Sequence, residues 1–130
     1  MKKNKSFIFT EINREIQSIG NAQKGFIDQL SILEDREKRY NMQRKIRVLS
    51  GSISFRSHAL ILLRQMEEGR VYSFSELSVM LDRIDIDELV SYLIVKGVGI
   101  EKIKNPKYLG AGSAYLIYNI KPGLVNSESK

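Results

Sequence analysis

The stretch VYSFSELSVMLDRIDIDELVSYLIVKGVGIEKIKNPKYLGAGSAYLIYNI, residues 71–120, decides the fold class. Ser73 and Glu76 stand at the spacing of a capping box, in which a hydroxyl accepts an orphan backbone amide and a carboxylate reaches back. A helix is therefore predicted to begin at Phe74, with Phe74, Leu77 and Leu81 on one face. Asp85 and Glu88 repeat the cap spacing, and Ile86, Leu89, Val90 and Leu93 follow at i, i+3, i+4 and i+7. Gly97 supplies a left-handed stop. Ile100, Ile103 and the run Tyr115 to Ile120 are β-branched or aromatic enough for strands, and Pro106, Gly110 and Gly112 break the chain between them.

Working outward, Phe55, Ala59, Leu62, Leu63 and Met66 describe a largely buried helix that Gly69 ends, before a short strand at Val71 and Tyr72. The order is helix, strand, helix, helix, strand, strand. Over roughly residues 55–120 this resembles the winged helix-turn-helix family. The resemblance implies a mainly α fold with a small antiparallel β wing. Ser75 to Leu81 looks like the supporting helix, Asp85 to Lys96 like the helix presented to the major groove, and Lys104 to Ser113 like the wing. It implies double-stranded DNA as partner and transcription regulation as role, with no subfamily assigned.

Charge is unevenly spread. Residues 71–99 hold Arg83 and Lys96 against Glu76, Asp82, Asp85, Asp87 and Glu88, two cations against five carboxylates, a net of minus three. The outward positions of the presented helix are Asp87, Glu88, Ser91, Tyr92, Val95 and Lys96, whereas a base-reading helix usually exposes Arg, Lys, Asn or Gln. Basic zones flank this centre. Arg44, Lys45, Arg47 and Arg56 lie in residues 41–56 with no carboxylate, and Lys102, Lys104, Lys107, Lys121 and Lys130 face only Glu101 and Glu128 beyond residue 100. Lys102 and Lys104, two apart on a strand, share one face leading to the wing, with Lys107 and Tyr108 near its tip. The expected DNA contacts are therefore Lys102, Lys104, Lys107 and Tyr108, extended by Arg44, Lys45, Arg47 and Arg56, with Ser91, Tyr92 and Lys96 approaching the groove. The bland alternative is that the lysines protect a hairpin edge and that Arg44, Lys45 and Arg47 complement a helix C-terminus. The acidic helix face alternatively suits a protein partner.

The N-terminal third carries a heptad seam: Ile12, Ile16, Ile19, Gln23, Phe26, Leu30, Leu33, Glu37 and Tyr40 alternate steps of four and three. A continuous helix from Glu11 to Val48 would be about 57 Å long and would want a partner. Gly20 and Gly25 each cost about 1 kcal/mol inside a helix, which suggests a break between them and two shorter helices. These form a hairpin within one subunit, pack on the same chain's C-terminal domain, or make a dimer interface. The favoured expectation is a homodimer through Ile12, Ile16, Ile19, Phe26, Leu30, Leu33 and Tyr40, pairing two DNA half-sites.

Composition bounds the rest. At 130 residues and 42% hydrophobic, the chain can bury one core, giving residues 1–50 as a coiled-coil-like helical extension, 51–120 as the winged domain and 121–130 as a polar tail. Zero cysteines exclude disulfides, and a lone His58, expected at a helix start in a capping or partly buried role, cannot build a zinc site. No catalytic residue, metal or cofactor is expected. Gly97-Val98-Gly99 and Gly110-Ala111-Gly112 lack the strand-to-helix context of a phosphate cradle. Phe7-Ile8-Phe9 is too short for a signal core, and no segment approaches membrane-spanning length because Arg64 and Lys96 cut the apolar runs short. The expected compartment is the cytoplasm, at the nucleoid when DNA is bound. Tyr72, Tyr115 and Tyr118 are expected to pack rather than contact nucleic acid.

Overall fold

The computed structural model describes residues 5–104 and 116–121. Among these the elements run α1 (Lys5–Leu30), α2 (Arg36–Gln65), β1 (Val71–Ser73), α3 (Phe74–Leu81), α4 (Ile86–Lys96), β2 (Ile100–Lys104) and β3 (Leu116–Ile120). The protein is mainly helical with one small three-stranded antiparallel sheet. It divides into two units, residues 10–57 and residues 1–9 together with 58–130. The boundary expected near residue 50 falls inside α2, which continues unbroken through Gly51.

In the second unit the local rules hold closely. Ser73 Oγ accepts the Glu76 amide at 3.0 Å and Glu76 Oε1 accepts the Ser73 amide at 3.3 Å, so α3 starts at Phe74 behind a complete capping box. Gly97 ends α4 at φ 112°, and the Val98 amide reaches back 3.0 Å to the Leu93 carbonyl, closing orphan acceptors as a left-handed C-terminus does. One expectation fails. Asp85 makes no side-chain cap on α4, because its carboxylate is taken by Arg83.

The sheet order is β1-β3-β2, so the last strand lies between the first two. Tyr72 pairs with Tyr118, and Tyr118 with Lys102. Both tyrosines are buried, as expected; Tyr115 lies outside the described residues. Tyr72 Oη accepts the Glu67 amide at 3.0 Å, which satisfies a polar group in the core and ties the end of α2 to β1. The core includes Ala59, Leu62 and Leu63 of α2, Met66 just past its end, Leu77 and Leu81 of α3, Ile86, Leu89, Val90 and Leu93 of α4, Val98 after it, and Ile100 and Ile120 of the sheet, joined by Ile8. The sequence periodicities point to most of this set.

In residues 10–57 the two long helices form an antiparallel hairpin. Glu15 meets Arg56 at 2.8 Å, the Gln23 amide donates to the Ile46 carbonyl (3.0 Å) and to Ser50 Oγ (2.6 Å), and Lys45 lies 5.5 Å from the Phe26 ring centroid. The turn lies at residues 31–35, not between Gly20 and Gly25, which both stay helical. No atom stands within 4 Å of where a Cβ would be at either glycine, so neither serves a close approach. The turn has its own stabilisers: the Lys38 amide donates to Asp35 Oδ2 at 2.9 Å, and the Arg39 guanidinium donates to the Leu30 and Leu33 carbonyls at 2.7 and 2.9 Å. A continuous Glu11–Val48 helix is therefore corrected to a hairpin within one chain. Tyr40, expected on the seam, is exposed.

The expectation about spanning segments also needs a correction. An 18-residue window within α2 has a mean hydropathy of 1.2, the length and composition of a membrane span, with 17% of it buried. The C-terminal half of α2 supplies Ala59, Leu62 and Leu63 to the core, and a core helix meets the same criterion.

Candidate nucleic-acid interface

Strand alternation puts Ile100, Lys102 and Lys104 on one face of β2. Ile100 is buried, so the lysines leave the core on the same side of the sheet as α4. Lys102 Nζ lies 3.0 Å from Asp87 Oδ1 and donates to Ser91 Oγ at 2.5 Å. The Tyr118 hydroxyl donates to the same Asp87 oxygen at 3.2 Å. Burial, and then the Asp87 charge and hydrogen bond, push the Tyr118 phenol well above its ordinary range. The structure thus brings Lys102 and Ser91 together, as parts of a joint that fastens β2 to α4.

The remaining sequence candidates fall in different places. Tyr92 and Lys96 are half-buried on α4, with Lys96 Nζ 5.4 Å from the Tyr92 ring centroid, a cation–π distance. Lys104 is exposed at the end of β2. Lys107 and Tyr108 lie outside the described residues. Arg44, Lys45 and Arg47 are exposed on the hairpin unit, while Arg56 is held by Glu15 and donates to Ser52 Oγ. Arg56 thus links the two helices of the hairpin, its side chain half-buried.

The residue count of minus three overstates the acidity of the α3–α4 surface. Asp87 pairs with Lys102, and Glu76 with Arg70 at 3.4 Å, whereas the Asp85–Arg83 pair is already within the count. Arg70 and Lys102 lie just outside the counted window, so the sequence tally missed them. Asp82 and Glu88 are exposed carboxylates without an ion pair among the described residues. Val79 on α3, Ile84 between the helices and Val95 on α4 are exposed aliphatic residues, at 83%, 90% and 83% exposure.

A second cluster, not foreseen from the sequence, lies at the α3–α4 turn. His58 falls inside α2 rather than at a helix start. Its Nδ1 is 2.9 Å from an Arg83 guanidinium nitrogen. Arginine can only donate, so Nδ1 accepts and the ring proton sits on Nε2. The hydrogen bond from Arg83 holds the Asp85 carboxyl below its usual range, and the same bond raises Arg83. Ser78 Oγ donates to the Arg83 carbonyl. Sequence separation of 25 residues between His58 and Arg83 hid this contact.

Among the described residues no group of three His, Asp or Glu converges as metal ligands. No family model, curated protein or solved structure matches the chain.

Proposed function

We propose that residues 58–121 are a winged helix-turn-helix and that the protein is a small regulator that binds duplex DNA. The observation that carries this reading is the β1-β3-β2 sheet order combined with the box-capped α3 followed closely by α4, with β2 beside α4. In that arrangement α4 is the helix offered to the major groove, and β2 and β3 are the ribbon beside it. Tyr92 and Lys96 approach the groove, while Lys102, Lys104 and Lys107 contact phosphates. Lys102 also neutralises Asp87, which lowers the repulsion that a bare carboxylate would exert on the DNA backbone. With few base-matching side chains on α4, affinity comes mainly from phosphate contacts and depends steeply on salt.

Titration of a labelled random duplex at increasing salt tests this. The expected result is a linear fall of log affinity with log salt, flattened by roughly one unit per contact when Lys102, Lys104 and Lys107 are replaced by Gln. Absence of binding at low salt overturns it.

A second reading rests on Val79, Ile84 and Val95, whose exposure suits a protein partner docking on the α3–α4 surface. Under that reading, Ile84→Asp abolishes partner capture while the chain shows no affinity for duplex at any salt.

A further inference from the structure

From Asn13 to Ser57 no side chain is buried, although the two helices of the hairpin face each other along heptad seams. Such a hairpin leaves one side of its seam open. The open side has a groove of about 540 Å³, with Phe26, Val48 and Leu49 as apolar lining and Asn41, Arg44 and Lys45 as the polar remainder. Val48 is 70% exposed there. An apolar floor with cations at its edge fits an apolar side chain flanked by carboxylates.

This chain carries such an element at its own hairpin turn. Ile32 is 78% exposed, and Asp28 and Glu34 beside it are exposed as well. The turn is fixed by Arg39 on two carbonyls and by the Asp35 cap, so Ile32 is displayed on an ordered support. Residues 28–37 hold Asp28, Glu34, Asp35 and Glu37 against Arg36, a net of minus three; residues 38–48 hold Lys38, Arg39, Arg44, Lys45 and Arg47 with no carboxylate, plus five. The two segments are complementary to each other, and they adjoin along one hairpin.

We propose that a second copy of this chain occupies the groove: two hairpins overlap antiparallel, each Ile32 entering the other's Phe26–Val48–Leu49 groove while Asp28 and Glu34 meet Arg44 and Lys45. Lys45 lies nine residues into α2, about 14 Å from the turn at the helical rise. An overlap of that length places each turn on the other copy's groove, so one contact made twice closes a two-fold dimer. Apart from Phe26, which the groove shares with it, the interface differs from the Ile12–Leu30 seam, whose Gln23 bonds α2 of the same chain. It does not depend on the DNA reading, but it would pair two winged units and raise the effective concentration of the second phosphate contact.

Sedimentation velocity on the full chain, without nucleic acid, tests the proposal across micromolar to hundreds of micromolar concentration. The wild-type chain is expected to dimerise in a salt-sensitive way. Asp28→Lys with Glu34→Lys in one protein, and Arg44→Glu with Lys45→Glu in another, each weaken association by at least about tenfold. Mixing the two restores it, because both contacts in the heterodimer are attractive again. Asp35 and Arg39 stay in place, and restoration on mixing shows that both variants fold. Ile32→Lys weakens association comparably without touching the groove. A wild-type chain that remains monomeric throughout, variants that associate as the wild type does, or a mixture that fails to recover would each overturn the proposal. Monomers that still bind duplex would overturn it too, while leaving the DNA reading standing.

Discussion

Asp87 on α4 and Lys102 on β2 are joined at 3.0 Å, and Tyr118 donates from beneath to the same carboxylate oxygen. This joint fastens β2 to α4, and it fixes where two of the charges go. A cation expected to reach outward and a carboxylate expected to repel DNA cancel each other between β2 and α4.

Asp87→Asn is expected to raise duplex affinity several-fold, since it keeps an acceptor for Tyr118 while releasing Lys102 and removing a negative charge. Fluorescence anisotropy at fixed salt checks this. An unchanged or weaker affinity would show that Lys102 takes no part in phosphate binding. Asp87→Ala is expected to cost about 1–2 kcal/mol of stability by urea unfolding, chiefly from the lost Tyr118 hydrogen bond.

Tyr118 predicts an alkaline limb. Its phenol is raised above the ordinary value of 10.0, so the native state is favoured in full below pH 10 and loses that preference progressively as the pH rises from there through the higher folded value. Between the two values the unfolded chain ionises first, which sets the sign: a raised group loses protons later in the native state. Tyr118→Phe should therefore change the slope of melting temperature against pH above pH 10, while costing about 0.5–1.5 kcal/mol at neutral pH. Identical alkaline limbs in both proteins would contradict the assignment.

Asp85 predicts the opposite, acidic limb. Its carboxyl is lowered below 3.8 by Arg83, so its contribution is present above that value and is lost as pH falls through the lower folded value. Asp85→Asn should therefore be less sensitive than the wild type to acid below pH 4. In the same cluster, His58→Leu removes the acceptor facing Arg83 and should cost about 1 kcal/mol, whereas His58→Gln, which keeps a carbonyl acceptor, should cost less.

Ser73→Ala removes the hydroxyl half of the capping box and is expected to lower stability by about 1 kcal/mol. Thermal unfolding monitored by circular dichroism reads this directly. A stability equal to the wild type would mean that packing of Leu77 and Leu81 alone fixes the start of α3.

The second unit was legible because its instructions are local. The Ser73–Glu76 box, the Gly97 stop and the apolar spacing from Ile86 to Leu93 act within one helical turn of the residues that signal them. What depends on competing or distant partners was not legible. Asp85 has the spacing of a cap, yet Arg83 two residues earlier gives it a stronger ionic partner. Gly20 and Gly25 marked the wrong break, since a propensity cost of about 1 kcal/mol each is small beside packing along a seam. A signal for the hairpin was present but unread: Met42, Ile46, Leu49, Ile53 and Arg56 repeat the four-three spacing and are all half-buried, a second seam matching the first.

The most direct test of DNA binding through α4 and β2 is to map backbone amide shifts by NMR as a random duplex is added at low salt. Shifts concentrated at Tyr92 to Lys96 and at Lys102 to Lys104, and reversed by salt, are the predicted result. Shifts confined to residues 36–48, or none at all, would contradict the assignment of the α4–β2 surface to DNA.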